Sequence, residues 1–209
     1  MTVPFATGRV VLLRHAWAGD RDEYEGDDRE RPLDAHGRRQ AEALPAHLAA
    51  QGLIAGAGPC GLDERPAGAA EQPAVAAPVL VSSPLVRCRD TLEPLAAAAG
   101  TTVLLDEDLA EVAPPLRSED GWPDAAWFGA RAVRAVDRAA LSAPSGATVI
   151  VCSHGEVLPA LLATIAARSD HDVPTAIDLT AKALAKGAAW VLDPSRAPDW
   201  VTEIAAPDV

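Results

Sequence analysis

The chain has 209 residues, with 18 Lys+Arg against 30 Asp+Glu and a formal net charge of −12 at pH 7. Such a surface disfavours nucleic acid polymers and anionic membranes as partners, although a few arginines converging locally can still hold a small anionic substrate. Length predicts one domain over residues 1–209, and 49 % hydrophobic content with only 4 % aromatic predicts an aliphatic core.

Residues 1–8 show no charged region followed by a long apolar stretch, and no run of about 18 apolar residues occurs, so neither a signal peptide nor a transmembrane helix is expected. Val10-Val11-Leu12-Leu13 runs straight into Arg14-His15. A short apolar run of this kind reads as a strand buried on both faces, with its two polar residues at the carboxyl end, where open α/β sheets bind ligands. The segment 16–31 is a loop dense in Gly, Asp and Glu, with seven acidic residues from Asp20 to Glu30, most of them read as solvated. Asp34 is an N-cap for a helix over 37–53, with Ala41, Leu44, Leu48 and Ala49 on one face and Pro45 expected to kink or split it. Residues at about 55–78 are rich in Ala, Gly and Pro, without periodicity, and read as a flexible insertion within one βαβ unit.

A second strand and its exit follow at 79–84, then a helix over 85–99 with a kink at Pro94 and a stop at Gly100. A short strand at 102–105 leads into an irregular stretch, 106–123, that carries Glu111. A helix over 124–141 precedes a strand opening at Thr148 and ending in Ser153-His154-Gly155, then a helix over 156–167. Strands at 188–192 and 200–204 form an antiparallel pair at one edge. Alternating strands and helices predict a three-layer α/β/α fold around a mostly parallel sheet. Cys60, Cys88 and Cys152 have no ligand-pair spacing and leave one unpaired, which fits a reduced, cytoplasmic protein.

Two strand-end histidines, His15 and His154, open into one crevice if their strands are neighbours. Arg14 adjoins the first, and Arg87 lies at the start of the helix after the second strand, where free N–H groups favour anions. Gly155 permits close backbone approach of a ligand. One imidazole suits a nucleophile, the other a hydrogen-bond donor to a phosphoryl oxygen, and the arginines suit charge clamps. Glu111 is the candidate acid for the leaving oxygen. A reading of His15, His154 and Glu111 as metal ligands is disfavoured, because two arginines would repel a cation.

Four blocks in order, Leu13-Arg14-His15, Ser82 through Thr91, Leu109-Ala110-Glu111 and Ser153-His154-Gly155, resemble the histidine phosphatase superfamily, also called phosphoglycerate mutase-like. The resemblance implies that His15 is the phosphorylated nucleophile, that Arg14, Arg87 and His154 line the phosphate pocket, and that Glu111 is the proton donor. Arg31-Pro32-Leu33, Asp34 and Gly37 resemble the branch of small phosphohistidine phosphatases. Glu25-Gly26-Asp27-Asp28, residues 31–44 and 86–96, and the stretch from Lys186 to Leu192 resemble the phosphatase domain of Nudix-linked actinobacterial proteins. Ala16 stands where the family most often has glycine, and Glu156 puts a carboxylate after the second histidine. Trp17 is expected to pack locally, a stacking platform for a base being the sharper alternative.

The expected function is hydrolysis of a small phosphate ester, or of the terminal phosphate of a nucleoside diphosphate, through a phosphohistidine intermediate, without metal or cofactor. Arg21 and Lys186 are candidates for holding a second phosphate, surface charge being the other reading. The alternatives are a protein phosphohistidine phosphatase and a non-catalytic phospholigand-binding module; mutase activity ranks below these.

Overall fold

The computed structural model describes residues 8–55, 76–111, 122–180 and 184–209. Six strands form one sheet: β1 (Val10–Arg14), β2 (Val79–Ser82), β3 (Val103–Leu105), β4 (Val149–Ser153), β5 (Ala189–Leu192) and β6 (Val201–Ile204). Four helices accompany them: α1 (Ala35–Ala50), α2 (Val86–Ala99), α3 (Trp122–Ser142) and α4 (Val157–Ser169). The strand order is β3-β2-β4-β1-β5-β6. The pairs β3/β2, β2/β4 and β4/β1 are parallel, while β5 runs antiparallel to both β1 and β6. This is the three-layer, phosphoglycerate mutase-like architecture with its antiparallel edge pair.

The alternation of side chains along a strand explains why β1 is apolar at every step. Val10 and Leu12 join the layer built on α3 and α4, with Val136, Leu161 and Ile165. Val11 and Leu13 join the opposite layer, with Leu44 and Leu48 of α1 and Leu92 and Leu95 of α2. The core is aliphatic with exceptions: Trp190 and Trp200 are the largest fully buried side chains. Each indole N–H has a partner, Glu203 Oε2 at 3.2 Å and the Asp172 carbonyl at 2.8 Å, which is what makes such burial tolerable.

Asp34 caps α1 by accepting from Gly37 N at 2.7 Å. Pro45 does not split α1, nor Pro94 α2; each helix continues through its proline. Pro45 is itself buried on the packed face of α1, so the apolar contact of its ring offsets the missing backbone hydrogen bond. Gly100 ends α2 in the left-handed conformation, φ 61°. The expected insertion falls largely on residues 56–75, outside the described residues, as do Cys60 and residues 112–121 of the stretch after Glu111. No helix among the described residues is long and apolar enough to cross a membrane.

Candidate active site

The parallel register of β1 and β4 sets Arg14 opposite Ser153, so the chain emerges from adjacent strands as His15 and His154. His15 N donates to the Ser153 carbonyl at 3.1 Å, extending the ladder by one step. The two imidazoles meet edge to face with centroids 5.4 Å apart. Neighbouring strands therefore do bring both histidines into one site.

His15 is buried, and its Nδ1 lies 2.7 Å from the Ala16 carbonyl oxygen. A carbonyl only accepts, so Nδ1 carries the proton and Nε2 keeps its lone pair. Burial lowers the His15 pKa to about 3; the Ala16 hydrogen bond opposes this, and the charges of Arg87, Arg14 and Lys186 reinforce it. The imidazole is thus neutral at pH 7. The Ala16 methyl meets no obstacle: it joins Ala18, Leu33 and Ala41 in a small apolar cluster. Ala16 N donates to Thr91 Oγ1 at 3.0 Å, tying the neighbour of His15 to α2.

His154 is fully buried. Its Nε2 is 2.8 Å from Ser83 Oγ and 3.5 Å from Cys88 Sγ, and its Nδ1 is 3.3 Å from Glu111 Oε2. Both ring nitrogens are therefore engaged within the protein. Burial, with the neighbouring His15 and the Arg87, Arg14 and Arg31 charges, drives its pKa well below the usual histidine value.

Glu111 is not a freely exposed loop carboxylate. It lies 3.3 Å from Arg87 Nη2 and 3.5 Å from Arg21 Nη1. Burial, then the Glu156 carboxylate beside it, raises its pKa above the ordinary range, while Arg87 and Arg21 pull it down. Three arginines on α3 fasten the turn before it: Arg131, Arg134 and Arg138 converge on Asp108, and Arg138 also pairs with Asp106 at 2.7 Å.

A cleft of about 270 Å³ opens over these residues, lined by Arg14, His15, Trp17, Gly19, Asp20, Arg21, Arg31, Glu111, Gly155, Glu156 and Lys186. Arg14 is held by the Leu184 carbonyl at 2.6 Å. Of the expected site residues, His15, Arg14, Arg21, Glu111, Gly155 and Lys186 share this lining. His154 and Arg87 do not. Arg87 is 1 % exposed, and its guanidinium is engaged by the Asp28 carbonyl at 2.7 Å, Asp28 Oδ2 at 3.2 Å and Glu111. It organises the acidic side of the site from behind.

Three participants were not anticipated. Asp28, one of the acidic residues read as solvated, draws Arg31 (2.8 Å), Arg87 (3.2 Å) and Arg21 (3.8 Å) together. Arg31 is buried, donates to the Ala18 carbonyl at 2.8 Å and lines the cleft. Gln40, buried on α1, accepts from Trp17 N at 3.1 Å and donates to the Lys186 carbonyl at 3.3 Å. The one available sequence signal was the Asp28/Arg31 spacing of three. Trp17, expected to pack locally, is 43 % exposed at the cleft.

The fold is of the phosphoglycerate mutase-like type, and its site gathers the two strand-end histidines, arginines and Glu111 at one end of the sheet. The histidine phosphatase superfamily (branch 1) model matches residues 65–114. The 8-oxo-(d)GTP phosphatase of Mycolicibacterium smegmatis is 32 % identical over 159 residues, 76 % of this chain. The chain spans only 38 % of the length of that relative. Similar folds are found in a mycobacterial glucosyl-3-phosphoglycerate phosphatase (TM-score 0.56, 18 % identity, 96 % of this chain and 100 % of that one). A candidate phosphohistidine phosphatase from Agrobacterium tumefaciens also shares the fold (TM-score 0.52, 19 % identity, 98 % and 99 % covered). These matches make the chain similar to the histidine phosphatase superfamily.

Proposed function

We propose that the protein hydrolyses a small phosphate ester, or the terminal phosphate of a nucleoside diphosphate, through a phosphohistidine on His15. The observation that carries this reading is the His15 tautomer. With Nδ1–H given to the Ala16 carbonyl, Nε2 is left as the nucleophile at the cleft, beside Arg14.

In the first step the Nε2 lone pair attacks phosphorus and the bond to the leaving oxygen breaks, while Glu111 in its protonated form donates a proton to that oxygen. Arg14 is placed to receive the charge of the phosphoryl oxygens, and Arg87 adds its charge from behind. In the second step water attacks phosphorus, ionised Glu111 takes the water's proton, and the N–P bond breaks to return neutral His15. His154 acts chiefly by fixing the place of Glu111 and the edge of His15. The raised pKa of Glu111 suits a group that must hold a proton and then release it.

The nucleotide half of the reading is supported by the relative named for 8-oxo-(d)GTP and by Arg21 and Lys186 at the cleft. A cleft of about 270 Å³ accommodates a phosphorylated head group rather than a whole nucleotide, so the base would project beyond it. The test is to trap labelled phosphate on the protein. A phosphoramidate is acid-labile and base-stable; His15→Ala should abolish both the trapped label and turnover, and undiminished turnover in that variant would reject the mechanism.

A further inference from the structure

We infer that Trp17 is a specificity-determining positioning residue, whose indole face holds the Lys186 ammonium where it meets the non-reacting phosphate of a diphosphate substrate. This rests on the phosphatase reading above. The Lys186 ammonium lies 4.0 Å from the Trp17 ring centroid, within cation–π range, and both side chains line the cleft.

The arrangement is built from the backbone upward. Gln40 bonds to the main chain of both partners, Trp17 N and the Lys186 carbonyl. Gly37 lets α1 lie directly on Trp17, since a Cβ there would overlap the Trp17 carbonyl oxygen. Gly187 N donates to the carbonyls of Arg14 at 3.1 Å and His15 at 3.2 Å. The main chain at Lys186 is thereby fixed relative to the nucleophile. Only its long side chain remains free to choose a direction.

Electrostatics alone would turn that side chain outward. Burial disfavours the Lys186 charge most, and Arg14 and Arg31 stand near the ammonium with Asp34 and Asp20 as weaker counterweights. A lysine stem carries high rotamer entropy. The aromatic face supplies an attraction that keeps the cation at the cleft despite its cationic neighbours. Arg14 is tied to the Leu184 carbonyl and lies next to His15, so it addresses the reacting phosphoryl group. Lys186, with Arg21 also on the cleft lining, is a cation available for a second one. The indole face toward Lys186 is covered by the ammonium, which disfavours base stacking on that face as the role of Trp17.

The experiment compares a nucleoside diphosphate, the matching monophosphate and methyl diphosphate, which has no base. Wild type, Trp17→Leu, Trp17→Phe, Lys186→Ala and the Trp17→Leu/Lys186→Ala double variant are assayed on each. Trp17→Leu should cut the kcat/KM preference for both diphosphates over the monophosphate roughly 5- to 30-fold, mainly through KM. Trp17→Phe should keep most of that preference, and the double variant should match Lys186→Ala. Loss that follows the base, with methyl diphosphate spared, would overturn the inference in favour of stacking. Equal loss on all three substrates, or additive losses in the double variant, would overturn it in favour of a structural role. If wild type turns over none of the three, the nucleotide half of the phosphatase reading fails instead. Calorimetric binding of inorganic pyrophosphate then decides, weaker binding to Trp17→Leu supporting the inference and equal binding refuting it.

Discussion

Asp108 offers a quantitative test of how the Glu111 turn is held. Its carboxylate, 18 % exposed, faces Arg131 at 3.3 Å, Arg134 at 2.9 Å and Arg138 at 2.8 Å, all from α3. Burial alone would raise its pKa, but hydrogen bonds from Arg138, Arg134 and Arg131 bring it down to about 2 from the usual 3.8. A depression of nearly two units corresponds to about 2.5 kcal/mol. Arg134 and Arg138 are 54 % and 52 % exposed, however, and solvent screening reduces the net contribution to about 1 kcal/mol. Because the folded pKa lies below the unfolded one, this stability is fully present above the unfolded value and fades as pH falls toward 2, with about half left at pH 3. Urea unfolding of wild type and Asp108→Asn at pH 7, 5 and 3 measures it. The expected gap is about 1 kcal/mol at pH 7 and 5 and about half that at pH 3. No gap at pH 7, or a gap undiminished at pH 3, would refute the reasoning.

Glu111→Gln should slow alkyl phosphates by about 10²-fold or more while slowing an activated aryl phosphate far less, as steady-state kinetics would show; equal slowing would assign Glu111 a structural role. The kcat/KM profile should fall on the acid side only as pH drops through about 3, where His15 takes a proton. It should fall on the alkaline side as Glu111 loses its proton, above the ordinary carboxylate range because its pKa is raised. Activity should persist in excess chelator, since arginine charge fills the clamp role at the phosphoryl group; loss restored by one divalent ion would contradict this. Gly37→Ala should cost about 1–3 kcal/mol in thermal or urea unfolding, because the new methyl overlaps the Trp17 carbonyl and the backbone must shift.

Much of the fold was legible because its signals are local. A four-residue apolar run ending in Arg14-His15, a β-branched run ending in His154, an Asp34 cap and a Gly100 stop each declare their element within a few residues. The neighbourhood of β1 and β4 was stated as a condition, and the register supplies it. What stayed hidden depends on contacts distant in sequence. Asp28 is one acid among several in a loop without periodicity; only the fold brings Arg87, 59 residues on, against it. Arg131, Arg134 and Arg138 form a visible stripe on a helix, but nothing local says that Asp106 and Asp108 lie beneath them. Gln40 reads as an ordinary helix residue until the 184–188 segment crosses α1. Burial of a proline is equally non-local, so Pro45 reads as a kink or a split although α1 continues through it.

The charge arrangement explains how a strongly acidic chain can hold an anion site. Buried guanidinium groups are costly unless paired, and here Asp28 and Glu111 pair with Arg87 while Asp28 also pairs with Arg31. The acids therefore stabilise the cations and define where they point. At the lining itself, Arg14, Arg21, Arg31 and Lys186 outnumber Asp20, Glu111 and Glu156, and a protonated Glu111 widens the difference. The net charge of −12 acts on an approaching polyanion over a distance that salt screens beyond about 8 Å. The four cations act at contact range, inside that distance. A long polyanion meets the overall repulsion along its whole length and the cations at one point only. A compact phosphate or diphosphate would bring all its charge to that point, so the same distribution that disfavours polymers suits the small phosphorylated molecule proposed above.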